Sequence, residues 1–366
     1  MIHPPHFASR FVILLVLGFQ TSHASADGRI RQMTTLATLR AVHTTTALSP
    51  TQLLVAGGMD SSGSLATAEL IDVSKARVSP LPSMLDARAG HTATRLPNGR
   101  VVVAGGYNGT YLRSVEVFDP KTRRFTFMGQ LKEGRSGHTA TLLSDGQILI
   151  VGGVGTGWSF LSTAELFDPS TGQSQAVGPL GVARESHTAT LLADGRVLIT
   201  GGHRGRHEAM EVYATAELYE PATRRFQAVG SLVTARHKHD AVRLADGRVL
   251  VLGGADRTDR HYYATTEIYN PVTASFTPGP SMASTRYKFQ GTSVQLDNGD
   301  VLVATGARVA EILDHRSFTF RSVPGVFPTA LYFATATLLS GDDVVIVGGY
   351  GPRIQNTAGV WRFHQF

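Results

Sequence analysis

Six diglycines each end an apolar run, at Gly57-Gly58, Gly105-Gly106, Gly152-Gly153, Gly201-Gly202, Gly253-Gly254 and Gly348-Gly349, and Thr305-Gly306 stands where a seventh belongs. The units they mark recur every 43 to 52 residues or so. A period of this length calls for stacked equal units, because a unit so small leaves an apolar face bare until a neighbour covers it. The phrase leading into each diglycine is nearly constant. RAGHTATRLPNGRVVVAGG begins at Arg88, RSGHTATLLSDGQILIVGG at Arg135 and RESHTATLLADGRVLITGG at Arg184.

Each unit divides into four short strands. The first two are joined by Asn98-Gly99, Asp145-Gly146, Asp194-Gly195, Asp246-Gly247 or Asn298-Gly299, dipeptides that supply the positive φ of a tight hairpin. The third strand reads SVEVFDP from Ser114, TAELFDP from Thr163, TAELYEP from Thr215 and TTEIYNP from Thr265, ending in a turn signature. The fourth reads RFTFMGQL from Arg124 and RFQAVGSL from Arg225. No stretch has helical periodicity, so the fold class is all-β. First-and-second-strand pairs start near His43, His91, His138, His187, His239, Gly291 and Ala334. The last unit stops after its third strand, from Asn356, while GRIRQMTTLATLR from Gly28 reads as a fourth strand with no unit of its own. The expectation is a seven-bladed β-propeller of four-stranded blades, with the N-terminal strand completing the last blade and removing its open edge.

These units resemble kelch repeats, with a diglycine ending the second strand, a glutamate in the third and an aromatic residue in the fourth. The family's fourth-strand tryptophan is replaced by Phe125, Phe226, Phe276 and Phe318. The resemblance implies the propeller but does not choose among the enzymes, adaptors and carbohydrate binders that share it. Copper radical oxidases also use a kelch-type propeller, with a tyrosine immediately before a histidine of such a phrase. Here Val42, Gly90, Gly137, Ser186 and Lys238 stand in that place, and the tyrosine–cysteine crosslink of those oxidases needs a cysteine that the sequence lacks. That chemistry is rejected.

The phrase itself poses a choice between repeated chemistry and scaffold. Its arginine recurs as Arg40, Arg88, Arg135, Arg184, Arg236 and Arg286, and the third-strand glutamate as Glu69, Glu116, Glu165, Glu217, Glu267 and Glu311. The seventh unit loses both together, to Leu331 and Gly359. Joint loss predicts a charge pair within each blade, reaching across the side-chain-free diglycine. The histidines three residues on, His43, His91, His138, His187 and His239, are read as interblade packing residues bonded to adjacent backbone rather than as a metal ring. His203-x-x-x-His207 has metal spacing, but in a loop it does not call for a metal. No metal or cofactor is assigned.

Composition narrows the partners. The net charge of +6 is spread along the chain without the basic stripe and stacking aromatics of a nucleic-acid binder. Arg10, the apolar run Phe11–Phe19 and the small residues Ala24 and Ala26 are ordered like a secretory signal, and the run is too short to span a bilayer. Residues 1–26 are therefore expected to be a signal peptide and 27–366 a single propeller domain, exported to a periplasm or beyond the cell and not membrane-spanning.

Function is sought where units stop copying one another, because loops vary while strands hold the ring. The long loops of the fourth and fifth units gather His203, Arg204, Arg206, His207, Glu208, Asp256, Arg257, Asp259, Arg260, His261, Tyr262 and Tyr263. Tyr107, Tyr111, Trp158, Phe160, Tyr287, Lys288, Tyr332 and Tyr350 are expected on the same rim. Guanidinium forks suit carboxylates or phosphates, and tyrosines suit sugar stacking. The reading is a binding scaffold for a glycan, a small anionic ligand or another envelope or extracellular protein. Two alternatives stand beside it. One is a non-redox enzyme such as a sugar mutarotase, with His207, Glu208, Asp256 or His261 as acid–base groups; the other is a purely structural role.

Overall fold

The computed structural model describes residues 28–364, so the expected signal segment lies outside the described residues. Seven four-stranded antiparallel sheets follow one another around an axis. Blade 2 shows the unit: Thr92–Arg95 innermost, then Val101–Ala104, Ser114–Asp119 and, outermost, Arg124–Gln130. Blade 7 takes Thr335–Leu338, Val344–Val347 and Gly359–His364 from the C-terminal region, and its outer strand is Arg29–Thr35 from the N-terminal region. Arg29 pairs with His364 and Thr35 with Gly359, so the two ends of the described chain close the ring in one sheet.

Second strands such as Val101–Ala104 and Ile148–Val151 are buried along their whole length. Both of their faces meet a neighbouring blade, which is why they read as continuous apolar runs rather than alternating ones. Leu54 and Ala56 of blade 1 pack with Val101, Val103 and Phe118 of blade 2, and the same layer recurs around the ring. Fourth-strand aromatics cap these layers. Phe125 lies 4.9 Å from Phe118, Phe226 5.1 Å from Tyr219 and Phe276 5.0 Å from Tyr269. In blade 6 the expected Phe318 is instead a turn residue with φ of +55°, and Phe320 takes the strand position opposite Leu313. One extra turn residue displaces the aromatic by two places.

The diglycine is where one blade meets the next. A Cβ on Gly57 would come within 2.6 Å of the Arg88 carbonyl and 2.7 Å of the His91 ring, both in the following blade. Gly58, at φ of +95°, donates its N–H to that Arg88 carbonyl at 2.9 Å. The same interblade bond recurs at every junction. It reaches Leu331 O from Gly306 at 3.0 Å and Arg40 O from Gly349 at 2.9 Å.

The arginine side chain turns the other way, into its own blade. Arg88 Nη1 donates to Gly105 O at 2.7 Å, and its Nη2 lies 2.5 Å from Glu116 Oε1, both groups fully buried. Equivalent pairs join Arg40–Glu69, Arg135–Glu165, Arg184–Glu217, Arg236–Glu267 and Arg286–Glu311 at 2.7–2.9 Å. Each glutamate also accepts backbone N–H groups from the connector entering its blade, as Glu116 does from Leu85 and Asp86. Blade 7 fills the same space with apolar groups. Leu331 is fully buried, and Trp361 lies over Gly359 and edge-on to Phe327 at 5.3 Å. The expected charge pair is present in six blades and replaced by packing in the seventh.

The histidines correct one expectation. Their Nε2 atoms bond not to adjacent backbone but to threonine hydroxyls of the preceding blade: Thr44 to His91, Thr92 to His138 and Thr139 to His187, each at 3.0 Å. A threonine directly follows each histidine in blades 1–4 and 7's counterpart, so the first strand itself supplies the partner for the next blade. Blade 6 has Phe289 instead, and there Asp240 makes the interblade link, accepting N–H groups from Gly291, Thr292 and Ser293 at 2.7–3.0 Å. Burial, with the nearby arginine second, pushes His43, His138 and His187 down to about 3 from an ordinary 6.5.

Two outcomes follow. Glu165→Gln leaves a buried guanidinium without its counter-charge and should cost about 3 kcal/mol in denaturant unfolding, the lower end for a broken buried pair. Neutral buried histidines stabilise the fold above their ordinary range and lose that contribution as pH falls from 6.5 toward about 3. His138→Phe, which copies blade 6, should therefore unfold at lower pH than the parent when acid titration is followed by circular dichroism.

Candidate functional site

The residue before each histidine has left-handed backbone in all seven blades: Val42, Gly90, Gly137, Ser186, Lys238, Lys288 and Phe333, with φ between +49° and +65°. Their peptide groups form an annulus. Gly137 N–H donates to Gly90 O at 2.9 Å, Lys288 to Lys238 at 2.9 Å, Phe333 to Lys288 at 2.7 Å and Val42 to Phe333 at 3.1 Å. Left-handed backbone costs a side-chain-bearing residue on the order of 1 kcal/mol, a strain that the ring of bonds offsets. The residue one earlier then pairs with the one after the diglycine: Ala41 with Met59, Ala89 with Tyr107, Ser136 with Val154, Glu185 with His203, His237 with Ala255 and Tyr332 with Tyr350. The two variable positions of Arg-x-x-His thus form the mouth of the axial channel. They are small or apolar in blades 1–3, then Glu-Ser, His-Lys, Tyr-Lys and Tyr-Phe.

A polar chain crosses the mouth at blades 4 and 5. His203, 5% exposed, places Nε2 3.4 Å from Glu185 Oε2 and Nδ1 3.1 Å from His237 Nδ1. His237 Nε2 lies 3.1 Å from both the Asp256 carbonyl and Asp259 Oδ1. Lys238 Nζ reaches Asp259 Oδ2 at 2.5 Å. Bonds from His237 and Lys238 outweigh burial and hold the Asp259 carboxyl well below the usual range. Burial raises Glu185 to about 7, against the pull of Lys238 and Arg206.

The other side of the mouth is aromatic. Tyr262 stacks on Tyr287 at 3.8 Å and 8°, Tyr332 follows at 4.8 Å, and Tyr350 lies 5.9 Å beyond it. Lys288 Nζ donates to the Tyr350 hydroxyl at 3.0 Å, and burial lowers its affinity for a proton. A third group joins Tyr107, Tyr111 and Trp158 within 5.0–6.3 Å of one another.

Outside the mouth, the loops of blades 4 and 5 flank a cleft of about 590 Å³ lined by Arg206, His207, Glu208, Met210, Arg257, Thr258, Asp259 and Arg260. The blade 4 loop is a two-stranded ribbon, His203–Arg204 with Glu211–Val212, capped by the turn His207–Ala209. Arg206 lies flat on Trp158, 3.1 Å from the ring centre, an orientation that leaves the N–H edge of the guanidinium open. Among the described residues neither Arg257 nor Arg260 forms an ion pair.

The expected rim residues therefore divide. Arg206, His207, Glu208, Arg257 and Arg260 share the cleft, while His203, Tyr262 and Tyr350 belong to the mouth. Arg204 is spent on Glu211, an exposed pair. Asp256 is spent on its own loop, accepting from Thr258 and lying 3.1 Å from His261 Nδ1. Tyr263 lies over Arg236, inside the frame. His203 is buried against His237 whereas His207 is exposed, and among the described residues no three His, Asp or Glu side chains converge as metal ligands. Sequence reasoning missed Glu185, His237 and Lys238. The signal was present in the phrase: comparing its two variable positions across the units shows charge entering at blade 4.

Two successive units match a protein-family model described as the Kelch motif, over residues 87–132 and 135–181. Among curated proteins no match to the chain is found.

Proposed function

The chain is a seven-bladed β-propeller carrying Kelch motifs, and on that premise we propose that it is a binding protein whose blade 4 and 5 loops take a small carboxylate-bearing ligand, such as an acidic sugar. Kelch propellers commonly serve as protein-binding scaffolds. The observation that carries the narrower reading is the cleft, in which Arg206, Arg257 and Arg260 line about 590 Å³ and none is neutralised by an ion pair. Guanidinium groups bind carboxylates through paired N–H bonds, and Arg206 is pre-oriented by its stack on Trp158. Glu208 lines the same cleft and accepts hydroxyl bonds of a sugar. The secretory pattern of the first 26 residues adds the proposal that this face works outside the cytoplasm.

Calorimetry against a panel of hexuronic and sialic acids and their neutral sugars tests the reading. Saturable binding of an acid and not its neutral counterpart is expected, and Arg206→Ala with Arg260→Ala should weaken it at least a hundredfold, roughly 1.4 kcal/mol or more for each lost charge-assisted contact. Equal binding of acid and neutral sugar, or an unaffected double variant, would contradict it.

A protein partner is the second reading. Across the ring, Leu39, Met59 and Ile354 are 41–75% exposed around a groove of about 570 Å³ between blades 7 and 1. It predicts that a photo-crosslinker at Ile354 captures a defined protein from the envelope fraction and that Met59→Glu abolishes the capture.

A further inference from the structure

The protons in the Glu185–His203–His237 chain can be counted from the acceptors around them. His237 Nε2 faces two oxygens, the Asp256 carbonyl and the ionised Asp259 carboxylate, so this nitrogen carries a proton. Neutral His237 then accepts at Nδ1. The 3.1 Å contact between the two Nδ1 atoms makes His203 the donor there. Neutral His203 is consequently unprotonated at Nε2, the atom 3.4 Å from Glu185 Oε2. Two acceptors face each other across that gap unless a proton lies between them, so Glu185 and His203 share one.

Its position follows from the surroundings. An imidazolium at His203 would be buried beside His237, Lys238 and Arg206, and these together push His203 down to about 3. The charged groups facing Glu185 are Lys238 and Arg206, which favour its anion, and Asp259, which opposes it; Tyr111 lies within its field as well. Burial outweighs them all and the proton rests on the carboxyl. Blade 3 makes room for this group with bare backbone, since a Cβ at Gly137 would lie 2.8 Å from Glu185 Oε1.

Glu185 differs from Asp256 and Asp259 in what it leaves free. Its side chain is 29% exposed, makes no polar contact beyond His203 among the described residues, and lines an axial cavity of about 290 Å³ with Ser136, His138, Gln290 and Thr335.

We propose that Glu185 carries the shared proton and presents it to the axial cavity, making the channel mouth a second binding site for a ligand oxygen that accepts from a carboxylic acid, in the first instance a carboxylate. This site lies apart from the arginine cleft and does not depend on it. A ligand carboxylate is repelled by ionised Glu185 and accepted by the neutral acid, so binding retains one proton that the free site loses as pH rises.

The test is a carbon-13 NMR titration of the whole chain labelled at glutamate carboxyls, with Glu185→Gln to assign the signal and acetate as the probe. Glu185 should titrate near neutrality, apart from the other glutamates. Added acetate should raise that midpoint further, and above it acetate should bind about tenfold more weakly per pH unit, the slope for one proton. Glu185→Gln, which keeps a neutral donor toward both His203 and the cavity, should bind acetate without that dependence. A Glu185 midpoint in the ordinary carboxyl range, or one that acetate does not move, overturns the proposal. Both readouts come from the unsubstituted chain, so they stand even if the variant folds poorly, and neither changes if acidic sugars fail to bind the cleft.

Discussion

A buried arginine holds this ring together by facing two ways at once. Its backbone carbonyl accepts from the diglycine of the preceding blade, and its side chain binds the diglycine carbonyl and the glutamate of its own. Six such residues are closed off from water and fully paired, the condition under which a buried charge contributes rather than costs. The glutamate extends the same network to the incoming connector. Strand, connector and neighbour are thus registered by one hub per blade. Blade 7 shows which part is indispensable, because Leu331 gives up the charge but keeps the backbone bond to Gly306.

The frame was legible in the sequence because it repeats. Diglycines, hairpin dipeptides and the joint absence of arginine and glutamate at Leu331 and Gly359 each predicted a feature that the structure contains. Two errors were errors of position. Phe318 fell in a turn because blade 6 departs from the spacing of its neighbours, and the histidines found threonine hydroxyls on another blade, a contact between residues nearly fifty positions apart. Neither is visible in a single unit read alone.

The site was legible only in part, for the opposite reason. Loop length and charge pointed to Arg206, Arg257 and Arg260, which do share a cleft. The same criterion also gathered Arg204, Asp256 and Tyr263, whose groups are satisfied within their own loop or against the frame. Composition cannot separate a free guanidinium from a paired one. Glu185, His237 and Lys238 escaped notice because they sit inside the most regular phrase in the chain. There the left-handed annulus turns two residues per blade toward the axis while the arginine and histidine on either side stay in the frame. Scaffold and site alternate within four residues.

That alternation is open to one direct measurement: replace Glu185-Ser186 and His237-Lys238 with the Ala-Gly pair that blade 2 carries, then compare unfolding and acetate binding with the parent. The expected result is a propeller at least as stable as the parent, because left-handed strain and buried charge are removed, that no longer binds acetate. A variant that loses its fold, or one that folds and still binds, would show that frame and site are not divided in this way.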